Sequence, residues 1–204
     1  MLTVAIQAGG ESRRMGQDKA LLPFLGKAMI ERVIERVAHL ADEVLITTNH
    51  PLDYAYLGLA LYPDLIPGRG ALGGLYTALS AANQPLVAVV ACDMPFVSSE
   101  LLAFERDLLL GDEYDAAIPV TSSGTEPFHA VYRKAGCLPP IEKAIQEGKW
   151  RVDAWFAQVR LRLVSPEEAA VHDPCRLAFR NVNTPEDLAQ AEAIAVRLAE
   201  GGAL

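Results

Sequence analysis

Glycine and cationic residues are concentrated in the opening stretch of the chain, "AIQAGGESRRMGQDKALL" (residues 5–22). The residues concerned are Gly9, Gly10, Arg13, Arg14 and Lys19. Adjacent glycines allow backbone N–H groups to approach a ligand closely, and cationic side chains on the same loop favour an anion. The stretch therefore predicts an anion-binding loop; the alternative is a surface loop whose charges are solvated.

The spacing of this loop differs from those of two common phosphate-binding motifs. A dinucleotide fingerprint needs Gly-x-Gly-x-x-Gly, whereas Gly9 and Gly10 are adjacent and the next glycine is Gly16. A Walker loop needs four residues before its Gly-Lys pair, whereas five residues separate Gly10 from Gly16 and two more precede Lys19. The interpretation that remains is a nest of backbone amides with cationic side chains over it.

A second candidate is the segment "VVACDMPFV" (89–97), in which an apolar run ends at Cys92 and Asp93. A carboxylate at the end of a buried strand is costly to desolvate unless a cation pairs with it. Magnesium in phosphate sites is commonly held by one or two carboxylates together with substrate oxygens. Asp93 is therefore a candidate metal ligand, and the alternative is that it caps the turn that follows.

Two further loops carry polar side chains. In residues 61–79, Asp64 is positioned to contact a ribose or base, although the glycines there also permit close helix packing. In residues 179–189, Asn181 and Asn183 either cap a turn or present amides to a polar substrate.

Apolar runs alternate with segments of helical periodicity, which predicts a layered α/β fold with a mostly parallel sheet. The predicted strands are 2–7, 43–48, 86–92, 115–120, 128–132, 159–164 and 178–182. The predicted helices are 27–41, 72–83, 98–109, 135–148 and 184–199, with Ser98 and Thr184 as N-caps. The segments expected to be irregular are 8–26, 49–71, 93–97 and 121–127. Ligands of open α/β sheets bind outside the carboxyl ends of the strands, so we expect the chemistry in these loops.

Composition limits the classes of function. The 204 residues suit one domain spanning 1–204, and a net charge of −8 argues against a general nucleic-acid or membrane partner. The three separated cysteines suggest neither a disulfide framework nor a zinc site, and no apolar run is long enough to span a bilayer. These features predict a cytoplasmic protein. The four histidines lack ligand spacing, and Trp150 and Trp155 are interpreted as core or interface anchors rather than stacking platforms.

The three motifs "AGGESRRMGQDKALL", "VVACDMPFV" and "FRNVNTPEDLA", in this order, closely resemble those of the molybdenum cofactor guanylyltransferases. The likeness runs from about residue 3 to about residue 190. It implies a three-layer, Rossmann-like nucleotidyltransferase fold of the glycosyltransferase-A type. Gln7 stands where that family usually has leucine.

The resemblance also implies roles for individual residues. The nucleotide-binding set would be Gln7, Ala8, Gly9, Gly10, Lys19, Asn49, Asp64 and Asp93. Lys19 would neutralise the phosphates with Arg14 as a helper, Asp93 would bind Mg²⁺, and Asn181 and Asn183 would face the pterin substrate. The implied catalytic residues are therefore Lys19, Asp93 and Arg14.

The implied reaction transfers GMP from GTP to the molybdenum-molybdopterin cofactor and releases pyrophosphate, with Mg²⁺ as cofactor. Transient contact with cofactor-insertion proteins or molybdoenzymes would follow. Three alternatives remain open: a cytidylyltransferase acting on the same pterin, a sugar-phosphate nucleotidyltransferase, and a non-catalytic nucleotide-binding adaptor that delivers cofactor.

Overall fold

The computed structural model describes residues 1–9, 18–111 and 113–200, and a central sheet runs through it. The strands among these residues are β1 Leu2–Gln7, β2 Pro23–Phe24, β3 Lys27–Ala28, β4 Glu43–Thr47, β5 Ala60–Tyr62, β6 Leu86–Ala91, β7 Ala116–Thr121, β8 Gly124–Thr125, β9 His129–Arg133 and β10 Leu161–Val164. The apolar runs predicted as strands from 2–7 to 159–164 are therefore strands, with ends that shift by two residues or fewer.

The strands of the main sheet lie in the order β10-β7-β9-β6-β1-β4-β5, and β8 pairs with β7 at one end. Strand β1 pairs in parallel with β4 and β6, and β4–β5 and β7–β10 are also parallel. Only β9, among the strands on this path in the described residues, runs antiparallel to both neighbours. The prediction of a mostly parallel sheet is confirmed, and the carboxyl ends of β1, β4 and β6 meet at one edge.

Helices cover both faces of this sheet. They are α1 Met29–Val37, α2 Pro51–Tyr54, α3 Gly70–Ala81, α4 Ser99–Leu108, α5 Lys134–Gln146, α6 Pro166–His172 and α7 Pro185–Glu200. Because successive strand residues point to opposite faces, Val4 and Ile6 of β1 pack in a core with α1, while Ala5 packs in a second core with α3 and α5. The arrangement has three layers, as expected.

Both predicted helix N-caps are confirmed. The Ser98 hydroxyl accepts a hydrogen bond from the amide of Leu101 at 3.1 Å, at the start of α4. The Thr184 hydroxyl accepts from the amide of Asp187 at 3.1 Å, and the Asp187 carboxylate accepts from the amide of Thr184 at 3.0 Å. This reciprocal pair satisfies N–H groups that have no partner within α7.

The predicted strand at 178–182 is wrong. The amide of Ala178 donates to the Asp173 carboxylate at 2.8 Å, and the amide of Arg180 donates to the Leu177 carbonyl at 2.9 Å in a turn. The amide of Val182 donates to the carbonyl of Asp93 at 2.9 Å. These backbone groups are satisfied by loops, so the apolar residues of this segment pack without joining a sheet.

Several short elements lie in segments for which no regular structure was predicted. They include β5 and β2. Strand β3, which pairs with β2 in a hairpin, instead replaces the first two residues of the predicted helix at 27–41. Helix α6 was also missed, although "SPEE" carries its signal: Ser165 and Glu168 form a capping box at 2.9 and 3.2 Å. Within the part of the chain that the structure describes, there is no helix of the length and apolarity needed to cross a bilayer.

Candidate active site

The carboxyl ends of β1, β4 and β6 hold the candidate site. The amide of Ala8 donates to the carbonyl of Thr47 at 2.9 Å, and the amide of Cys92 donates to the carbonyl of Gln7 at 3.0 Å. These bonds extend the ladders one residue past the strands and bring Asp93 beside the end of β1. The predicted convergence of these loops at one sheet edge is therefore observed.

Two adjoining cavities open at this edge. The first, of about 400 Å³, is lined among others by Lys19, Asp93, Asn181 and Asn183, and we call it the Asp93 cavity. The second, of about 440 Å³, is lined among others by Asn49, Asp64, Gly74 and Trp150, and we call it the Trp150 cavity. The two cavities share Gln7, Ala8, Gly9, Asp18, Gly70 and Ala71.

Asp93 lies at the wall of the Asp93 cavity and is half-buried. Desolvation raises the pKa of its carboxyl group, and the positive charge of Lys19 partly opposes that rise. The attraction of Lys19 is therefore smaller than the cost of desolvating the ionised carboxylate. A cation in the cavity would offset the rest of that cost.

Lys19 is held from two directions. It begins a short 3-10 helix, Lys19–Leu21, capped by Asp18, whose carboxylate accepts from the amide of Ala20 at 3.0 Å and from the hydroxyl of buried Tyr54. The Lys19 ammonium also donates to the side-chain oxygen of Asn183 at 2.6 Å. The opening loop and the segment before α7 therefore meet at one point in the Asp93 cavity.

The two asparagines before α7 have different environments. Asn183 bonds to Lys19, and its amide donates to the Asp187 carboxylate at 3.0 Å, so its backbone belongs to the helix cap. Asn181 is exposed and lines the Asp93 cavity. The capping alternative for Asn183 is therefore observed, and its contact with a polar substrate stays a prediction.

Asn49 and Asp64 pair with each other across the Trp150 cavity wall. The Asn49 amide donates to the Asp64 carboxylate at 2.9 Å, and the backbone N–H of Asp64 donates to the Asn49 oxygen at 3.0 Å. The pair joins the loop after β4 to the loop after β5. The structure therefore brings both predicted nucleotide contacts to one place.

The Gln7 side chain lies flat against α3, where a Cβ on Gly74 would come within 3.0 Å of its oxygen. The Gln7 nitrogen Nε2 is buried and has no hydrogen-bond partner in the described residues. A side chain at position 74 would therefore be in tight contact with this amide, which would have to shift by a few tenths of an ångström. Gln7 therefore contributes a side chain to the site as well as backbone.

Part of the predicted anion-binding loop lies outside the described residues. Gly10 and Arg14, together with Arg13, lie outside the described residues. Sequence reasoning assigned no role to Asp18 and Glu126, although both line the Asp93 cavity. An acidic residue in an irregular segment after a strand was the available signal for each.

The two tryptophans also differ from each other. Trp155 is fully buried in the core with α3 and α5, as predicted. Trp150 is 63% exposed and lines the Trp150 cavity, so the core alternative of its interpretation is wrong, and the interface alternative stays a prediction.

An α/β sheet whose carboxyl edge brings a lysine and a half-buried aspartate together beside two adjoining cavities is the architecture of a nucleotidyltransferase. The fold is shared, for example, with 2-C-methyl-D-erythritol 4-phosphate cytidylyltransferase from Thermus thermophilus, with a TM-score of 0.67 at 19% identity, over 94% of this chain and 98% of that one. The chain belongs to the MobA-like NTP transferase domain family, whose model matches residues 4–161.

Individual relatives agree with the resemblance found in the motifs. The chain is 41% identical to a probable molybdenum cofactor guanylyltransferase of Pelotomaculum thermopropionicum, over 95% of this chain and 93% of that protein. The crystal structure of molybdopterin-guanine dinucleotide biosynthesis protein A from Archaeoglobus fulgidus matches with a TM-score of 0.82 and 28% identity, covering 96% of this chain and 99% of that one. The family resemblance read from the sequence is thus confirmed.

Proposed function

We propose that this chain transfers GMP from GTP to the molybdenum-molybdopterin cofactor and releases pyrophosphate. The observation that carries the proposal is the bond from Lys19 to Asn183, beside Asp93, in one cavity. It joins the residue implied to neutralise the nucleotide's phosphates to a residue implied to face the pterin. The two substrates would therefore meet in the Asp93 cavity.

The nucleotide would extend across both cavities. Its phosphates would lie in the Asp93 cavity near Lys19, and its base would lie in the Trp150 cavity near the Asn49–Asp64 pair. Gln7, Ala8 and Gly9 line both cavities, which suits residues that follow a nucleotide along its length. Gly10 and Arg14 stay in this proposal on the resemblance alone.

Asp93 suits a magnesium ion. Its carboxylate is desolvated and under-compensated, and a second carboxylate, Asp18, lines the same cavity. No group of three or more acidic, histidine or cysteine side chains with metal-site geometry occurs in residues 1–9, 18–111 and 113–200. One or two carboxylates suffice, because Mg²⁺ in such sites completes its coordination with substrate oxygens and water. When bound, the ion would neutralise phosphate charge.

The chain's own residues would contribute positioning and charge. The terminal phosphate of the acceptor is already ionised near neutral pH, so it can attack the α-phosphorus of GTP without a protein base. A new P–O bond forms at the α-phosphorus as the bond to pyrophosphate breaks. Lys19 would hold phosphate oxygens while Asn181 and Asn183 orient the acceptor, and such alignment supplies most of the catalysis in phosphoryl transfer.

We also propose that residues 1–204 act as one nucleotidyltransferase domain, although the family model ends at residue 161. Helix α7 packs through Ala191 and Ala195 against Phe24 and Phe96. The segment that leads into α7 supplies Asn181 and Asn183 to the site. The C-terminal part of the chain is therefore needed to complete it.

Nucleotide selection and turnover test the proposal. GTP with Mg²⁺ should raise the melting temperature more than CTP, ATP or UTP, because a ligand that binds the native state stabilises it. GTP with molybdenum-loaded molybdopterin should release pyrophosphate and yield the guanine dinucleotide. Preference for CTP would favour a cytidylyltransferase, turnover of a sugar phosphate instead would favour that class, and binding without pyrophosphate release would favour an adaptor.

A further inference from the structure

Trp150 is a large aromatic side chain left at the surface beside a cavity. Burying a tryptophan is strongly favourable, and Trp155, five positions further on, is fully buried with Tyr132 and Phe156 around it. Trp150 instead remains 63% exposed and lines the Trp150 cavity. The folded chain obtains little stabilisation from this ring, so its position calls for another explanation.

The ring contacts the segment that leads into α3, whose Gly68 and Gly70 line the same cavity. Trp150 follows the turn after α5 at Gly148, whose φ is +74°. The guanidinium carbon of Arg69, just before α3, lies 5.0 Å from the centroid of the Trp150 ring, within cation–π range. The base of the Arg69 side chain lies against Gly73 of α3, where an added Cβ would be 2.8 Å from the Arg69 Cβ.

The cavity beside this ring combines an aromatic wall with polar groups. Gln7, Asn49 and Asp64 line it, and a hydrogen bond joins Asn49 to Asp64. A nucleobase has matching chemistry: flat π faces that stack on aromatic rings and a polar edge that forms hydrogen bonds. Its volume of about 440 Å³ is in the range of small-molecule sites.

We propose that Trp150 is the surface on which the guanine base of GTP stacks, and that Arg69 is a positioning residue that holds the indole ring in place. The proposal rests on the proposed function, because it takes the Trp150 cavity as the base site. It adds a base-binding residue that lies outside the three motifs carrying the family resemblance.

Tryptophan fluorescence gives a direct readout. GTP with Mg²⁺ and no acceptor should quench the emission of the parent protein, since a stacked base contacts the exposed indole. Inorganic tripolyphosphate, which carries the anion without a base, should leave the emission unchanged. Trp150→Phe should show no quenching by GTP, because buried Trp155 is then the remaining emitter. Equal quenching by tripolyphosphate, or retained quenching in Trp150→Phe, would overturn the proposal.

Affinity measured by calorimetry provides the second test. Trp150→Ala should weaken GTP binding by roughly 5- to 150-fold, the usual effect of losing one base–aromatic stack, while Trp150→Phe recovers most of it. The matched control is Leu110→Ala, which truncates a side chain that is 69% exposed and does not line this cavity. Parental GTP affinity in Trp150→Ala would refute the stacking role.

Two variants of Arg69 test its positioning role. Arg69→Ala should reduce the GTP-dependent quenching of Trp150 and weaken GTP binding, whereas Arg69→Lys, which keeps a cation over the ring, should recover part of both. If Arg69→Ala weakened tripolyphosphate binding equally, Arg69 would be a phosphate contact and its positioning role would be wrong. Failure of the proposed function is distinguishable, because it would appear as absent GMP transfer by the parent protein itself.

Discussion

At the scale of single residues, Asp93 and Lys19 place opposite charges at the wall of one cavity. Burial raises the pKa of Asp93, so its ionised form opposes folding even while Lys19 attracts it. Asp93→Asn should therefore leave the free energy of unfolding unchanged or higher at pH 7. Both Asp93→Asn and Lys19→Ala should lower GMP transfer on the order of 100- to 1000-fold, because each removes a preorganised electrostatic contact.

Pyrophosphate release and urea unfolding measure these two effects separately. Lys27→Ala is the matched control, since Lys27 forms an exposed ion pair with Glu35 away from the cavity, and such pairs contribute little. If Asp93→Asn released pyrophosphate at the rate of the parent protein, the proposal that Asp93 binds magnesium would be wrong. Loss of turnover together with loss of folding would reduce Asp93 to a structural residue.

Gln7 leads to a second prediction at this scale. Its buried Nε2 lacks a partner in the described residues, and an unpaired buried donor costs about 1–3 kcal/mol. Gln7→Leu and the unbranched Gln7→Met should therefore raise the free energy of unfolding by about 1 kcal/mol without nucleotide, while weakening GTP binding. Urea unfolding and calorimetry measure the two quantities. A marked loss of stability in both variants would mean that the amide is already well bonded.

At the scale of elements, the Ser98 hydroxyl joins helices α4 and α6. It caps α4 at Leu101 and donates to the carbonyl of His172 at the end of α6 at 2.9 Å. Ser98→Ala should lower the free energy of unfolding by about 1–2 kcal/mol, because it removes the cap and leaves buried groups unpaired. Ser99→Ala is the control, since that hydroxyl donates to the exposed carboxylate of its neighbour Glu100. If Ser98→Ala and Ser99→Ala lowered the free energy of unfolding in urea by the same amount, the capping role of Ser98 would be wrong.

At the scale of the whole molecule, a buried pair makes stability depend on pH. Glu105 of α4 and His129 of β9 are both fully buried, and His129 Nδ1 lies 3.2 Å from Glu105 Oε1. His129 Nε2 accepts from the amide of Ser98 at 3.3 Å, so the ring proton is on Nδ1 and is donated to Glu105. Desolvation raises the pKa of Glu105 to about 7, against an opposing effect of His129.

The direction of the pH effect follows from that raised pKa. Between the ordinary value of 4.5 and about 7, the folded state keeps a proton that the unfolded chain releases, so the free energy of unfolding falls as pH rises. Glu105→Gln lacks this proton equilibrium. Between pH 5 and pH 8 the parent should lose on the order of 2 kcal/mol more than Glu105→Gln in urea unfolding. If the free energy of unfolding of both proteins changed equally between pH 5 and pH 8, the pKa of Glu105 would not be raised in the folded state.

The sequence by itself determined the α/β layering, most strand positions, two helix caps and the family. Those features depend on local patterns: apolar runs bounded by turns, a helical period, and cap residues directly before a helix. Asp93 was identified because a carboxylate directly after a buried strand stands out within a few residues.

Tertiary structure alone decided which of these residues meet. Lys19 and Asn183 are 164 positions apart, and Asn49 and Asp64 join loops from different strands. The segment 178–182, predicted as a strand, has its backbone bonds satisfied by turns and by Asp93, and Trp150 and Trp155 have opposite exposure within six residues. No local pattern encodes these outcomes, because each depends on which distant groups compete for the same hydrogen bond or the same buried volume.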